Sequence, residues 1–403
     1  MKSFEEAREL VLDKIVPLGT ERVQLLDAVG RVLAEDVTAP WPMPLCDNSA
    51  MDGFAVRSAD CAPGVTLKVT DYIPAGATSE AAVTAGCAAR IMTGAPIPPG
   101  ADAVVPFEET SEGEGTVTLQ KEVKKGAHLR FTGEDVGVGD TVLAAGTVLG
   151  PAQISMLASC AAALVPVYRI PRVAILSTGD ELVELGTTPA RGEILNSNTF
   201  AVAAAVRLAG GEPVILGIAR DDHESHLSLL SEGLKADLLV TSAGVSAGDR
   251  DLVRDTLAEL GVEEQFWKVA IRPGQPLAFG MKGTVPVFSL PGNPVSTMIT
   301  FEEFVRPALL KMMGHTSVKR RTVRGILQEE VRKKAGRTAF IRARVSVEEG
   351  RFLARISGDQ NTGILRTMVG SNALLILPEE GSLFPAGSEV SLHLLDPSLH
   401  LEP

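Results

Sequence analysis

From Pro171 onward, apolar runs of strand length alternate with stretches whose apolar residues recur at helical spacing: VAILSTG, NTFAVAAAVRLAGG, PVILGIA, HLSLLSEGL, DLLVTSAG, LVRDTLAELG, VPVFSL and VSTMITFEEFVRPALLKMMG. Strands that are apolar on both sides of the pleat need cover on both faces. The repetition therefore predicts a central three-layer α/β domain with a mostly parallel sheet over residues 169–318. Beyond Lys319 the pattern changes. TVRGILQEEV, AFIRARVSV, RFLARI, NALLILP and EVSLHLL alternate or carry β-branched residues between turn signals, which predicts a C-terminal β-barrel over 319–403.

The first half reads differently. Ser3 and Glu6 have capping-box spacing, Phe4, Leu10, Val11 and Ile15 recur at helical spacing, and Gly19 is the expected stop. Prolines 40, 42 and 44 then bar regular helix. The short runs VTLKV, DAVVPF and TVTLQ predict a β-rich domain, and GDTVLAAGTVLGPAQISMLASCAAALVPVY (139–168) then reads as a strand or two followed by a helix rich in alanine and serine. If that helix returns to the first one, residues 47–135 are a β-rich inserted domain, and 1–46 with 136–168 form a discontinuous helical and extended N-terminal domain.

Composition narrows the class. In 403 residues, 45% hydrophobic and 22% charged, the 25 prolines and 39 glycines fit a folded multidomain protein rather than a disordered one. The formal net charge of −12 argues against a nucleic acid surface. Cys46, Cys61, Cys87 and Cys160 lack C-x-x-C spacing, so they predict neither a disulfide framework nor a zinc site and are expected to be buried, reduced and inert. The first residues contain no uninterrupted apolar run, so neither a signal peptide nor a membrane span is expected, and the expected compartment is the cytoplasm.

In open α/β sheets, ligands bind beyond the carboxyl ends of the strands. There the sequence places Asp180 and Glu181 after VAILSTG, Asp221 and Asp222 after PVILGIA, Ser246, Asp249 and Asp251 after DLLVTSAG, and PGNP after VPVFSL. One acid at a helix start is ordinary capping, whereas acid pairs on one rim repel unless a hard cation such as Mg²⁺ joins them and bridges substrate phosphates. Gly244 and Gly248 let backbone amides approach an oxyanion closely.

Rival motifs are weaker. Gly244-Val-Ser246-Ala-Gly248 matches the G-x-S-x-G elbow, but the histidines downstream, His315, His393 and His400, lie beyond the last α/β helix. His223 and His226 in DDHESH open a helix at i, i+3 spacing and are expected as solvated first-turn residues. No P-loop or G-x-G-x-x-G is present.

The blocks DNSAMDGFAV (47–56), RIMTGAPIPPGADAVV (90–105), GED (133–135), LSTGDEL (176–182), TSAGVSAGDRD (241–251), FWKVAIRPGQPLAFG (266–280) and LPGNPVS (290–296) resemble the molybdopterin molybdenumtransferase family, which includes the C-terminal domain of gephyrin. The resemblance runs through essentially the whole chain. It implies four domains and an elongated homodimer with the active site between the α/β domain of one subunit and the inserted domain of the other. It also implies Mg²⁺-dependent insertion of molybdate into adenylylated molybdopterin with release of AMP, and a transient contact with molybdopterin adenylyltransferase.

Matching positions imply Glu181, Asp221 and Asp251 as catalytic and metal-binding acids, with Asp52 and Thr93 reaching in from the partner subunit. Asp135 also falls on a family position. Ser242, Gly244, Ser246 and Gly248 are expected on the phosphate-binding loop. Lys268, Arg272, Pro291, Pro294, Ser296, Arg342 and Thr362 are implied to line the site for molybdate and the pterin phosphate. Arg272 stands where the family often has Lys in a KPGKP segment, Gln275 replaces the second Lys, and DQNT (359–362) replaces the usual Q-G-S. Two other functions are consistent with the pattern: the adenylyltransferase of the same pathway, which resembles residues 170–314 alone, and a non-catalytic scaffold on the same fold.

Overall fold

A computed structural model describes residues 1–244, 252–396, 398 and 399. The chain divides into two compact units, Met1–Arg22 with Pro166–Pro403, and Val23–Val165.

In the first unit, helix α1 (Phe4–Lys14) opens on the expected capping box: Ser3 Oγ accepts from the Glu6 N–H at 3.2 Å, and the Glu6 carboxylate accepts from the Ser3 N–H at 2.9 Å. The helix ends before Gly19 because Ile15 is already extended and Pro17 pushes Val16 out of the helical region. Its Phe4 ring meets Phe304 and Phe340 edge-on, with centroids 5.6 and 4.9 Å away. Phe4, Ala7, Val11 and Leu12 of α1 belong to the hydrophobic core of the first unit.

The central sheet contains β1 (Arg172–Thr178), β2 (Glu212–Ala219), β3 (Leu238–Ser242), β4 (Glu263–Trp267), β5 (Ala278–Lys282) and β6 (Val285–Leu290), in the order β2-β1-β3-β6-β5-β4. The first four in that order run parallel; β5 is antiparallel to both of its neighbours, β6 and β4, so β4 runs in the direction of the first four. Helices α2 (Ser197–Leu208), α3 (His223–Gly233), α4 (Leu252–Glu259) and α5 (Pro294–Thr300) lie between or after the strands. Val173 and Ile175 of β1 pack with Val202 and Val206 of α2, while Ala174 and Leu176 pack with Leu230 of α3 and Val253 of α4. This period-2 split is what a strand apolar on both sides requires, and each fully buried aliphatic chain contributes about 1.5–3 kcal/mol. The chain leaves β1 toward β2 and returns across it to β3, so a crevice opens at the carboxyl ends of β1 and β3.

After Lys319, β7 (Thr322–Leu327), β8 (Thr338–Glu348), β9 (Arg351–Ile356), β10 (Ala373–Leu377) and β11 (Glu389–Leu394) close into a five-stranded barrel in the order β8-β9-β7-β11-β10 and back to β8. Val345, Phe352, Leu375 and Leu392 belong to its core.

The second unit is built on a six-stranded sheet ordered Ala103–Pro106, Gly53–Val56, Cys87–Ile91, Thr66–Ile73, Thr116–Leu119, Thr110–Gly113. Gly53 is required by close approach, since a Cβ there would sit 2.0 Å from the Val105 carbonyl oxygen.

All four cysteines are free, and Cys61 and Cys160 are buried, but Cys46 in the proline-rich segment is exposed, contrary to the expectation of uniform burial. Burial, with the Asp60 and Asp102 charges adding to it, pushes the Cys61 thiol up to about 11. At about pH 8 a thiol-selective disulfide reagent is expected to label Cys46 and to leave Cys61 unmodified until denaturant is added, as peptide mass spectrometry will show. Among the described residues no helix is long and apolar enough to cross a membrane.

Candidate active site at the strand ends

A cavity of about 560 Å³ occupies the crevice at the switch point. Ser177 and Glu181 enter it from the end of β1, Asn196 and Asn198 from the start of α2, Ser242 and Gly244 from the end of β3, and Pro291 and Pro294 from the turn between β6 and α5. Asn196 caps α2: its Oδ1 accepts from the Ser177 hydroxyl at 2.9 Å and from the Thr199 N–H at 3.4 Å. Asn198 Nδ2 donates to Ser242 Oγ at 2.9 Å and to the Gly292 carbonyl at 2.7 Å, tying together the loops that surround the cavity. The first turn of α2 thus presents backbone N–H groups and the positive end of its dipole to whatever occupies the space, an arrangement suited to a phosphate. Asn198→Ala is expected to lower stability by about 1–2 kcal/mol by leaving the Gly292 carbonyl and Ser242 unpaired, read as a shift of the urea midpoint.

The acids lie at adjoining strand ends. Asp180 and Asp221 are linked reciprocally, each backbone N–H donating to the other's carboxylate, at 3.4 Å to Asp221 Oδ2 and 3.2 Å to Asp180 Oδ1. Arg220 Nη1 donates to the carbonyls of Asp180 and Leu182 and so fixes the segment carrying Glu181. Glu181 folds back over Gly179, where a Cβ would lie 2.4 Å from the carboxylate oxygen. Asp222 caps α3 by accepting from the Ser225 N–H at 2.8 Å. Asp251, Asp249, Ser246 and Gly248 lie outside the described residues, as does the serine of the G-x-S-x-G match. Among the described residues no group of three His, Cys, Asp or Glu side chains is placed to hold a metal. His223 is exposed beside Glu259, but His226 is buried with Nδ1 2.9 Å from the Asp222 carbonyl, which corrects its reading as a solvated residue.

A second cavity, also about 560 Å³, gathers Arg272, Arg332, Lys333, Arg342 and Thr362 with Glu330 and Asp359. Arg342 is only 1% exposed. Its Nε donates to Gln360 Oε1, Nη1 to the Asn361 carbonyl and Nη2 to the Asp359 carbonyl, at 3.1–3.2 Å, so it folds the 359–362 loop over itself. Burial lowers its pKa. The Thr362 carbonyl accepts from the Val295 N–H at 3.4 Å, which joins this loop to the start of α5. Ser296 is buried beneath that turn, and Lys268 packs over the Trp267 ring and lines neither cavity.

Asp52 and Thr93 belong to the second unit, where they form a ready-made pair. The Asp52 carboxylate accepts from both the Thr93 N–H and its hydroxyl at 2.7 Å, which holds its pKa below the ordinary aspartate value. Asp135 is exposed, and its N–H donates to the Met43 carbonyl.

Sequence reasoning missed Ser177, Asn196 and Asn198. The available signal was Asn196-Ser197-Asn198 directly before an apolar-periodic run, which marks a helix start and hence a donor-rich end at the strand rim.

Residues 174–311 match the probable molybdopterin binding domain, which puts the chain among molybdopterin-handling proteins. Residues 2–161 match the MoeA N-terminal region (domains I and II), and 324–395 match the MoeA C-terminal region (domain IV). The chain belongs to the molybdopterin molybdenumtransferase family and is an enzyme of molybdenum cofactor biosynthesis. It is 36% identical to the molybdopterin molybdenumtransferase of Haemophilus influenzae over 406 residues, covering 100% of both chains. It is 37% identical to molybdopterin molybdenumtransferase 2 of Mycobacterium tuberculosis over 405 residues, covering 97% of this chain and 99% of the relative. The crystal structure of the molybdopterin biosynthesis moeA protein from Pyrococcus horikoshii superposes with a TM-score of 0.83 at 32% identity, covering 98% of this chain and 100% of the other.

Proposed function

We propose that this enzyme takes adenylylated molybdopterin and molybdate, inserts the metal into the dithiolene and releases AMP. It is proposed to act as a cytoplasmic homodimer, with each site completed by Asp52 and Thr93 of a second copy. In this reading residues 1–46 with 136–168, 47–135, 169–318 and 319–403 are its four domains, and the third has three layers.

The observation that carries the reading is the pairing of an anion-receptive cavity at the switch point with carboxylates on the adjoining strand ends. Phosphate oxygens are received by the first-turn amides of α2, with Ser242 beside them, and the left-handed backbone of Gly244, at φ 74°, leaves room for close approach. The second cavity supplies Arg272, Arg332 and Lys333 for a tetrahedral dianion such as molybdate, while Arg342 holds the floor through its loop.

Glu181 and Asp221 are exposed, hard oxygen donors on neighbouring strands, the donor class Mg²⁺ takes, and Asp251 is the proposed third. Bound there, Mg²⁺ would offset charge developing on the phosphoanhydride. The chain's own contribution is to hold the pterin phosphate and the AMP phosphate against fixed donors while that bond breaks.

The test supplies purified protein with adenylylated molybdopterin and molybdate. AMP release matched by cofactor that activates an apo-molybdoenzyme is expected. Formation of an AMP adduct from free molybdopterin and ATP, without AMP release, would instead establish an adenylyltransferase.

A further inference from the structure

A further cavity in the first unit, of about 760 Å³, lies where helix α6 (Arg306–Met312) meets the barrel. Arg306 lines it from the start of that helix, and Lys319, Arg320, Arg321 and Arg324 line it from the segment leading into and along β7. Lys319 is paired with Glu9, and Arg324 with Glu389 at 3.6 Å. The other three cations are not matched one for one. Arg306 Nε and Arg320 Nε share a single carboxylate oxygen, Oε1 of Glu302. The Arg321 side chain has no hydrogen bond or ion pair among the described residues. Asp396, the one acid in the lining, already accepts from the Ser398 N–H and hydroxyl. Burial lowers the Arg306 pKa, Glu302 works against that, and the neighbouring Arg320 charge adds to it. In a chain of net charge −12, positive charge gathered this way calls for an anion.

The walls are set in advance. Helix α5 runs into a single π turn, Phe301–Val305, a local widening that recurs at functional sites. The turn carries two consecutive acids: Glu302 holds the arginines, and Glu303 is buried beside His393, with Oε1 2.8 Å from Nδ1. His393 Nε2 lies 3.2 Å from the hydroxyl of Thr322, its cross-strand partner on β7 and a residue of the cavity lining. Helix and barrel are thus joined through a buried chain next to the cations. Val323, Phe352, Leu394 and Leu399 supply the apolar part of the lining. Sites for organic ligands run to roughly 300–1,000 Å³, so this space suits more than a bare oxyanion.

We propose that this cavity binds an organic phosphate monoester, with its phosphate on Arg321, Arg320 and Arg306 and its apolar body against Phe352 and Leu394. Planar guanidinium groups match phosphate oxygens in pairs, and Arg321 has its donors unspent. No lining residue is shared with the strand-end cavity or the second cavity, so the site is separate from both.

Full-length protein titrated calorimetrically with phenyl phosphate is expected to show saturable binding, with phenol giving none and inorganic phosphate binding at least about fivefold more weakly. Arg321→Ser, an exposed change that breaks no contact among the described residues, is expected to weaken phenyl phosphate binding about tenfold or more. Crystals soaked with 4-iodophenyl phosphate locate the ligand, and the anomalous peak of iodine is expected beside Phe352 and Leu394. The proposal is overturned by phenyl phosphate that does not saturate, by phenol that binds equally well, or by an affinity unchanged in Arg321→Ser. Iodine found only in the strand-end cavity or the second cavity overturns it as well.

Discussion

Glu181→Gln is expected to lower AMP release from adenylylated molybdopterin by about 10²–10³-fold while leaving thermal unfolding unchanged. The substitution keeps the shape and the hydrogen-bonding reach of the side chain and removes only its charge. Because Glu181 is exposed and its segment is fixed through backbone carbonyls held by Arg220, no packing depends on that charge. Asp221→Asn should behave the same way, since the backbone half of its link to Asp180 survives. Quantifying AMP by chromatography in single-turnover reactions is the check, and near-wild-type release by both variants would remove these acids from the chemistry.

The second large effect is structural. Arg342→Met should destabilise the protein by about 2 kcal/mol or more, because it removes three charge-assisted hydrogen bonds that tie the carbonyls of Asp359 and Asn361 and the Gln360 side-chain oxygen to a buried guanidinium, leaving Gln360 only the backbone N–H of residue 342. Arg342→Lys should not rescue it, since one ammonium cannot reach three oxygens that a planar guanidinium spans. Urea titration gives the magnitude. A midpoint shift below the equivalent of about 1 kcal/mol would mean that the loop stands without this strut.

Much of the fold was legible because its strands announce themselves. VAIL, LLV and VPVF are unbroken apolar runs at the hearts of three of them, a pattern that a strand covered on both faces needs. The edge strand β4 and its neighbour β5 were not legible: EEQFW and AFGMK mix polar and apolar residues, and the connection between them is a proline-glycine loop without a helix to give a βαβ rhythm. The place of α1 was also hidden, since Phe4 shows that it needs an aromatic pocket but not that Phe304 and Phe340, some three hundred residues on, supply it.

The site divides along the same line. Acids after strands could be read from position alone, because the carboxyl ends of a parallel sheet converge whatever the loops contain. Asn198 could not, as its value lies in bridging Ser242 and Gly292, two residues brought beside it only by folding. Arg342 was assigned to the substrate from its charge and its match. That three of its N–H groups would be taken by residues 359–361 depends on a loop conformation that no periodicity encodes.

The strand-end cavity and its carboxylates are tested most directly by diffraction from crystals soaked with AMP, molybdate and Mg²⁺, using the anomalous signal of molybdenum to locate the oxyanion. The expected density puts the AMP phosphate against the first turn of α2 near Asn198 and Ser242, the metal ion on Glu181 and Asp221, and molybdenum beside Arg272. Nucleotide and molybdenum bound elsewhere on the molecule, with Glu181 and Asp221 bare, would contradict it.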